Sequence, residues 1–148
     1  MKKYISIDIG GTFIKYGLIN ENGEILEKNE LATEASKGGE QILTKVLKIV
    51  ETYHTKEPVE GVAISTAGMV DSKKGAIRYA SDLIPAYTGI NFKDPIKEKF
   101  DLPCSVENDV NCAGYAEYKS GASKDSSVCL TLTIGTGIGG CGIIDGKI

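Results

Sequence analysis

The residues best suited to chemistry lie in two glycine turns set between β-branched runs. One is in Ile5-Ser6-Ile7-Asp8-Ile9-Gly10-Gly11-Thr12-Phe13-Ile14, the other in Leu132-Thr133-Ile134-Gly135-Thr136-Gly137-Ile138-Gly139-Gly140-Cys141. A glycine backbone has no Cβ, so it can approach an anion closely and turn successive N–H groups towards it. Thr12 and Thr136 add hydroxyl donors. Asp8, at the end of its run, can hold Mg²⁺ directly or through waters, as hard oxygen ligands do. Either turn alone reads first as a simple hairpin bend. The pair, with Asp8, points to two phosphate cradles facing each other across one nucleotide.

Gly135-x-Gly137-x-x-Gly140 matches the dinucleotide fingerprint in form and follows a strand. That fingerprint must open a helix, because the pyrophosphate rests on the helix N-terminus. Here Cys141-Gly142-Ile143-Ile144-Asp145-Gly146 continues as strand and turn, so the dinucleotide reading fails on context. Neither turn has the Gly-Lys-Ser/Thr ending of a Walker loop.

A third group of residues is Val106-Glu107-Asn108-Asp109-Val110-Asn111-Cys112-Ala113. Apolar strand residues lead there into an acidic-amide cluster at a strand-to-helix corner. A carboxylate at such a corner can take the proton of an alcohol attacking phosphorus, as an aspartate does in kinases. Asn108 can fix a substrate hydroxyl. The competing role is N-capping of the helix by Asp109 or Asn111, which the sequence alone favours.

The elements that must position these residues follow from periodicity. Residues 4–9 and 13–19 alternate as paired strands, Asn22-Gly23 is a two-residue hairpin turn, and 24–31 form a third strand. Ile42, Leu43, Val46, Leu47, Ile49 and Val50 recur with helical spacing over 39–54. Residues 59–65 read as a buried strand, and 68–84 as turns and short hairpin strands. Asn91 is a candidate N-cap for a helix through Phe100, with Pro95 in its first turn. A strand at 104–107 and a helix from about 111 to 119 follow. The small, polar segment 121–127 is the linker candidate. Val128–Ile134 and Cys141–Ile148 then form a second glycine hairpin with Asp145-Gly146 as a turn. This order predicts an α/β fold, a mixed sheet with flanking helices. A two-stranded hairpin is marginal alone, so 121–148 reads as the opening of a second domain; its alternative place is in the first sheet. Tyr87 and the apolar residues around Ile84 read as capping the core, with an interface as the alternative.

The totals set bounds. The chain has 148 residues, 41% of them hydrophobic and 25% charged, with a net charge of −3. That is a globular composition, and the interspersed charges argue against nucleic acid or an anionic membrane as the main partner. No apolar stretch reaches the roughly 18 residues of a membrane span, so a cytoplasmic chain is expected. Cys104, Cys112, Cys129 and Cys141 fit neither a zinc site nor a disulfide framework and read as reduced core thiols. Cys112, near the acidic cluster, is a candidate reactive thiol.

Taken in order, Asp8-Ile9-Gly10-Gly11-Thr12, Gly61-Val62-Ala63-Ile64-Ser65-Thr66-Ala67-Gly68, Leu102-Pro103, Val106-Glu107-Asn108-Asp109-Val110-Asn111 and Gly135-Thr136-Gly137-Ile138-Gly139-Gly140 resemble the ROK family of sugar kinases and sugar-responsive repressors. The resemblance covers the whole chain but only about the first half of a usual member. It implies an actin-like ATPase, ribonuclease-H-like fold of two lobes, with ATP and sugar in the cleft. Residues 1–120 would form the N-terminal lobe, and 121–148 the linker and first hairpin of a truncated second lobe. Asp109 would be the general base on a hexose hydroxyl. Asn108, Gly68 and Ser81 would join Asp109 in contacting the sugar. Gly10, Gly11, Thr12, Gly135, Thr136 and Gly137 would line the phosphates, with Asp8 near Mg²⁺. Only seven residues precede Asp8, which leaves no room for the repressors' helix-turn-helix and favours the kinase branch. Ala67 replaces a proline common in relatives, and Ser81-Asp82-Leu83 lacks their asparagine. Glucose, N-acetylmannosamine and β-glucosides thus all stay open as the substrate. A homo-oligomer is admitted but not specified. The alternative is a non-catalytic protein of the same family that senses sugar or nucleotide.

Overall fold

Isoleucine at every second position gives β1 (Lys3–Ile9) one apolar face, and Ile5, Ile7 and Ile9 are all buried. The structure, a computed structural model, describes residues 1–148 apart from Thr136. Strand β1 pairs antiparallel with β2 (Phe13–Asn20), and β2 pairs antiparallel with β3 (Ile25–Ala32). The Asn22-Gly23 turn forms as expected, with Gly23 at φ 83° and Asn20 Oδ1 accepting the N–H groups of Asn22 and Glu24. A positive φ at that place is the reason for glycine.

Helix α1 (Gly39–Lys56) lays Ile42, Val46, Ile49, Val50 and Tyr53 into the core. The chain returns as β4 (Val62–Thr66), parallel to β1. A small hairpin of β5 (Met69–Asp71) and β6 (Ala76–Tyr79) follows, then α2 (Lys93–Phe100) and β7 (Cys104–Asn108). Phe92, not Asn91, is the N-cap position of α2, but Asn91 Oδ1 accepts the Asp94 N–H at 3.0 Å and so still satisfies a donor of its first turn. The main sheet has the order β3-β2-β1-β4-β7, a mixed sheet with its core against α1 and α2. Tyr87 and Ile84 belong to that core.

The chain divides into two compact units, Met1–Glu107 and Asn108–Ile148. The second unit contains α3 (Asp109–Ser120) and the antiparallel hairpin of β8 (Val128–Ile134) and β9 (Ile138–Ile144), which form a sheet of their own. The sequence expectation put the division at 120/121. The structure puts it before α3, because this helix packs on the hairpin. A Cβ at Gly114 would lie 2.7 Å from Cys141 Sγ, and one at Gly139 2.4 Å from Val110 Cγ2. Glycines on both partners thus let the backbones approach closely around Cys129, Cys141 and Ile143. The hairpin's other face is different. Val128, Leu130, Leu132, Ile134, Ile138 and Ile144 are 61–84% exposed.

Two further expectations shift. Strand β9 starts at Ile138, not Cys141, and α3 starts at Asp109, not near Asn111. The four cysteines form no disulfide among the described residues, and burial pushes the Cys104 thiol up to about 12. No helix among the described residues is long and apolar enough to cross a membrane.

Candidate functional site

In the first unit the candidate residues gather at the ends of β1 and β4. The parallel register sets Asp8 beside Ser65, and the Ser65 hydroxyl donates to Asp8 Oδ1 at 2.9 Å. On its other side Asp8 is paired with Lys15 of β2. Asp8 is exposed, on the sheet face opposite the isoleucine core. The β1–β2 turn is closed by the Gly10 N–H donating to the Phe13 carbonyl at 3.0 Å. Thr33, fully buried just beyond β3, donates its hydroxyl to the Gly10 carbonyl (2.7 Å) and its N–H to the Thr12 carbonyl (2.8 Å).

The glycines separate by what the chain itself demands of them. A Cβ at Gly10 would lie 3.0 Å from the Phe13 carbonyl oxygen, a tight internal contact. Gly68 has φ +99°, and a Cβ there would lie 2.8 Å from the Tyr79 carbonyl oxygen. The fold alone therefore accounts for Gly68. At Gly11 a Cβ would meet nothing within 4 Å, and the backbone is not left-handed. The same holds for Gly135 and Gly137. Neither packing nor φ asks for glycine at these three exposed positions, and a Cβ would only fill space that a ligand could approach. Gly142 also meets nothing within 4 Å, but it lies on the bare hairpin face opposite Leu130.

Gly68 leads into the β5–β6 hairpin, whose far strand ends at Tyr79, so Ser81 follows closely in an exposed loop. The same hairpin is tied to β7 where Ser72 Oγ donates to Glu107 Oε2 at 2.6 Å.

In the second unit Asn108, not Asp109 or Asn111, is the N-cap of α3. Its Oδ1 accepts the N–H groups of Val110 (3.0 Å) and Asn111 (3.2 Å), with the backbone extended as a cap requires. That corrects the capping expectation. It also leaves Asp109 exposed on the first turn, its Oδ1 accepting the adjacent Val110 N–H at 2.9 Å. Gly135 and Gly137 close the β8–β9 turn through a Gly135 N–H to Gly137 carbonyl bond of 2.9 Å. Thr136 lies outside the described residues. Cys112 is half-buried on α3.

Among the described residues no group of three or more His, Cys, Asp and Glu side chains could hold a metal ion. Asp8 by itself is a single carboxylate. A Mg²⁺ ion there would complete its shell with waters and the oxygens of a bound phosphate.

The model of the ROK family matches residues 4–148. The chain belongs to the ROK family. It is 52% identical over 148 residues to an uncharacterised protein of Clostridium perfringens, covering all of this chain and 50% of the relative. It is 38% identical over 138 residues to a β-glucoside kinase of Listeria monocytogenes, covering 93% of this chain and 45% of the kinase. A ROK family glucokinase from Streptomyces griseus, solved in complex with glucose and AMPPNP, superposes with a TM-score of 0.83 at 35% identity, over 98% of this chain and 45% of that one. The ROK chain therefore spans about half the length of the relatives it matches, and its fold is that of the ROK sugar kinases.

Two residues were not singled out by sequence reasoning about the site. Ser65 carried a faint signal, a polar residue ending an apolar run that faces Asp8 once the strands are parallel. Thr33 carried none, since its acceptors lie more than 20 residues earlier in the chain.

Proposed function

We propose that this chain is the N-terminal lobe and the opening of the second lobe of an ATP-dependent kinase for a hexose or hexose derivative. The observation that carries this reading is Asp109, an exposed carboxylate at the start of α3 whose capping duty is taken by Asn108. MgATP supplies the transferable phosphoryl group. Asp109 accepts the proton of the attacking sugar hydroxyl, as a kinase base does. Asn108, whose Oδ1 caps the helix, contacts a neighbouring sugar hydroxyl. Gly68 and Ser81 contribute backbone and hydroxyl contacts to the sugar. Gly10, Gly11 and Thr12 in the first unit, and Gly135, Thr136 and Gly137 in the second, receive the phosphates. Three of these glycines have no internal reason to be glycine, which fits close approach of an anion. Asp8, oriented by Ser65, holds the Mg²⁺ side of the phosphates.

The bare face of the β8–β9 hairpin supports the reading of the second unit as an incomplete lobe, because large exposed apolar patches on a single chain call for a partner. Kinase names among relatives of twice the length support the activity.

The test is a coupled ADP assay over a panel of hexoses, on the chain extended to the length of its relatives. Sugar-dependent ADP release is expected, and Asp109→Ala should cut turnover by about 10²–10⁴ with the fold intact. Sugar binding without turnover in the unmutated protein would mark a sensor instead. Near-normal turnover of Asp109→Ala would leave Asp109 without the catalytic role.

A further inference from the structure

We propose that Thr33 is a positioning residue for the nucleotide, fixing the Gly10–Thr12 turn so that its backbone donors face an incoming phosphate. This rests on the reading that the turn receives phosphate. Among the described residues the buried polar side chains, tyrosines and cysteines aside, are Asn20, Thr33 and Thr66. Asn20 serves the next turn, and Thr66 meets the Tyr87 hydroxyl at 2.6 Å. Thr33 alone spends both of its donors on the glycine turn. Its hydroxyl pins the Gly10 carbonyl and its N–H pins the Thr12 carbonyl.

A trans peptide is planar, so the carbonyl of one residue and the N–H of the next point in opposite directions. Pinning the Gly10 carbonyl towards Thr33 therefore aims the Gly11 N–H away from it, and pinning the Thr12 carbonyl does the same for the Phe13 N–H. The Gly10 N–H to Phe13 carbonyl bond locks the intervening peptide planes. A glycine turn left to itself would sample many conformations, because glycine is the most permissive residue. Thr33 removes that freedom before ligand binds, which is how preorganisation raises affinity.

The clamp is itself held. Lys45, on α1, donates through Nζ to the Ala32 carbonyl (2.7 Å), the Thr33 carbonyl (2.9 Å) and Glu34 Oε2 (2.6 Å). Its side chain is largely buried by these contacts. Lys37 also bonds Glu34, and together the two lysines hold that carboxyl down to about 2. The helix thus anchors the chain segment that anchors the turn.

Thr33→Val keeps the side-chain volume and the backbone N–H but removes the hydroxyl. In the chain extended to its relatives' length it should weaken ATP binding about 5- to 30-fold, the worth of a hydrogen bond or two. Sugar affinity should stay within about twofold, and Thr33→Ser should recover most of the loss. A merely structural role would lower both affinities together and would not be rescued in this split manner. Unchanged ATP affinity in Thr33→Val, or parallel loss of sugar affinity, overturns the proposal.

A second readout needs no nucleotide. In the 148-residue chain, amide hydrogen exchange at Gly10 should speed up at least about tenfold in Thr33→Val while Ile7, inside β1, stays protected. Equal protection of Gly10 in both proteins also overturns the clamp. If the exchange result holds but the unmutated, extended protein binds no ATP, the clamp stands and the kinase reading falls.

Discussion

The two glycine turns share a chemistry and differ in their support. Each is closed by one glycine N–H bonded to a carbonyl two or three residues on, Gly10 to Phe13 and Gly135 to Gly137. The first sits inside a five-stranded sheet, flanked by β3 and β4, with two carbonyls held from behind by Thr33. The second closes a two-stranded sheet that has α3 on one face and six exposed apolar side chains on the other. A two-stranded sheet gains too little from its own pairing to be stable alone. The phosphate role proposed for both turns needs more than glycines. It needs a scaffold that decides which way the peptides point, and the Gly10 turn has a five-stranded sheet for that where the Gly135 turn has a hairpin with one bare face.

The largest difference between the units should appear in core substitutions. Ile7→Ala, at a fully buried position, should cost about 2–5 kcal/mol in denaturant unfolding of the first unit. Leu132→Ala, on the bare hairpin face, should change stability by no more than about 0.5 kcal/mol in the 148-residue chain. The same Leu132→Ala in the extended protein should cost far more. Equal effects of Leu132→Ala in both lengths would show that the face is not an interior surface.

The finished core should also have an alkaline signature. Burial raises the Cys104 thiol from 9.0 to about 12 and the Tyr87 hydroxyl from 10.0 to about 12, the latter despite its bond with Thr66. Raised acids are neutral in the folded state, so their contribution is complete below the unfolded values. It is lost as the unfolded chain ionises first, between pH 9 and 12 for Cys104 and between pH 10 and 12 for Tyr87. Each group should steepen the fall in stability by about 1.4 kcal/mol per pH unit in its window. Cys104→Ala should show a shallower fall from pH 9 upward, and an identical profile would refute the assignment.

Smaller effects separate glycines that serve packing from those that face a ligand. Gly114→Val forces a side chain against Cys141 and should destabilise the second unit by about 1–3 kcal/mol. Gly11→Ala meets open space and should leave thermal stability within about 0.5 kcal/mol while weakening ATP binding. If Gly11→Ala binds ATP normally, close phosphate approach at this turn is wrong. At the cap, Asn108→Ala should cost about 1 kcal/mol in the stability of α3, read by circular dichroism on heating.

Local rules made much of this fold legible. Alternating Ile5, Ile7 and Ile9, the Asn22-Gly23 and Asp145-Gly146 turns and the helical spacing of Ile42 to Val50 all set structure through near neighbours. Asp145 at φ 48° and Gly146 at φ 77° form the turn that the pair requires. What escaped depends on distant residues. The glycines at 139 and 140 hid the start of β9, since glycine carries no strand signal and the pairing with Leu132 and Thr133 supplies it instead. The grouping of α3 with the hairpin rests on Gly114 lying against Cys141, 27 positions away. At the acidic corner Asn108, Asp109 and Asn111 are all of a capping type, and the extended backbone of Asn108 with its bonds to Val110 and Asn111 decides among them. The motif residues could be found by type and spacing. Ser65, which bonds Asp8, left only a faint trace in the sequence, and Thr33, which bonds Gly10, left none.

The most direct measurement is sugar-dependent ADP production by the purified 148-residue chain, set beside the chain extended to the length of its relatives. The proposed function predicts turnover in the extended protein and little or none in the 148-residue chain. Robust sugar-dependent ADP production by residues 1–148 alone would contradict it.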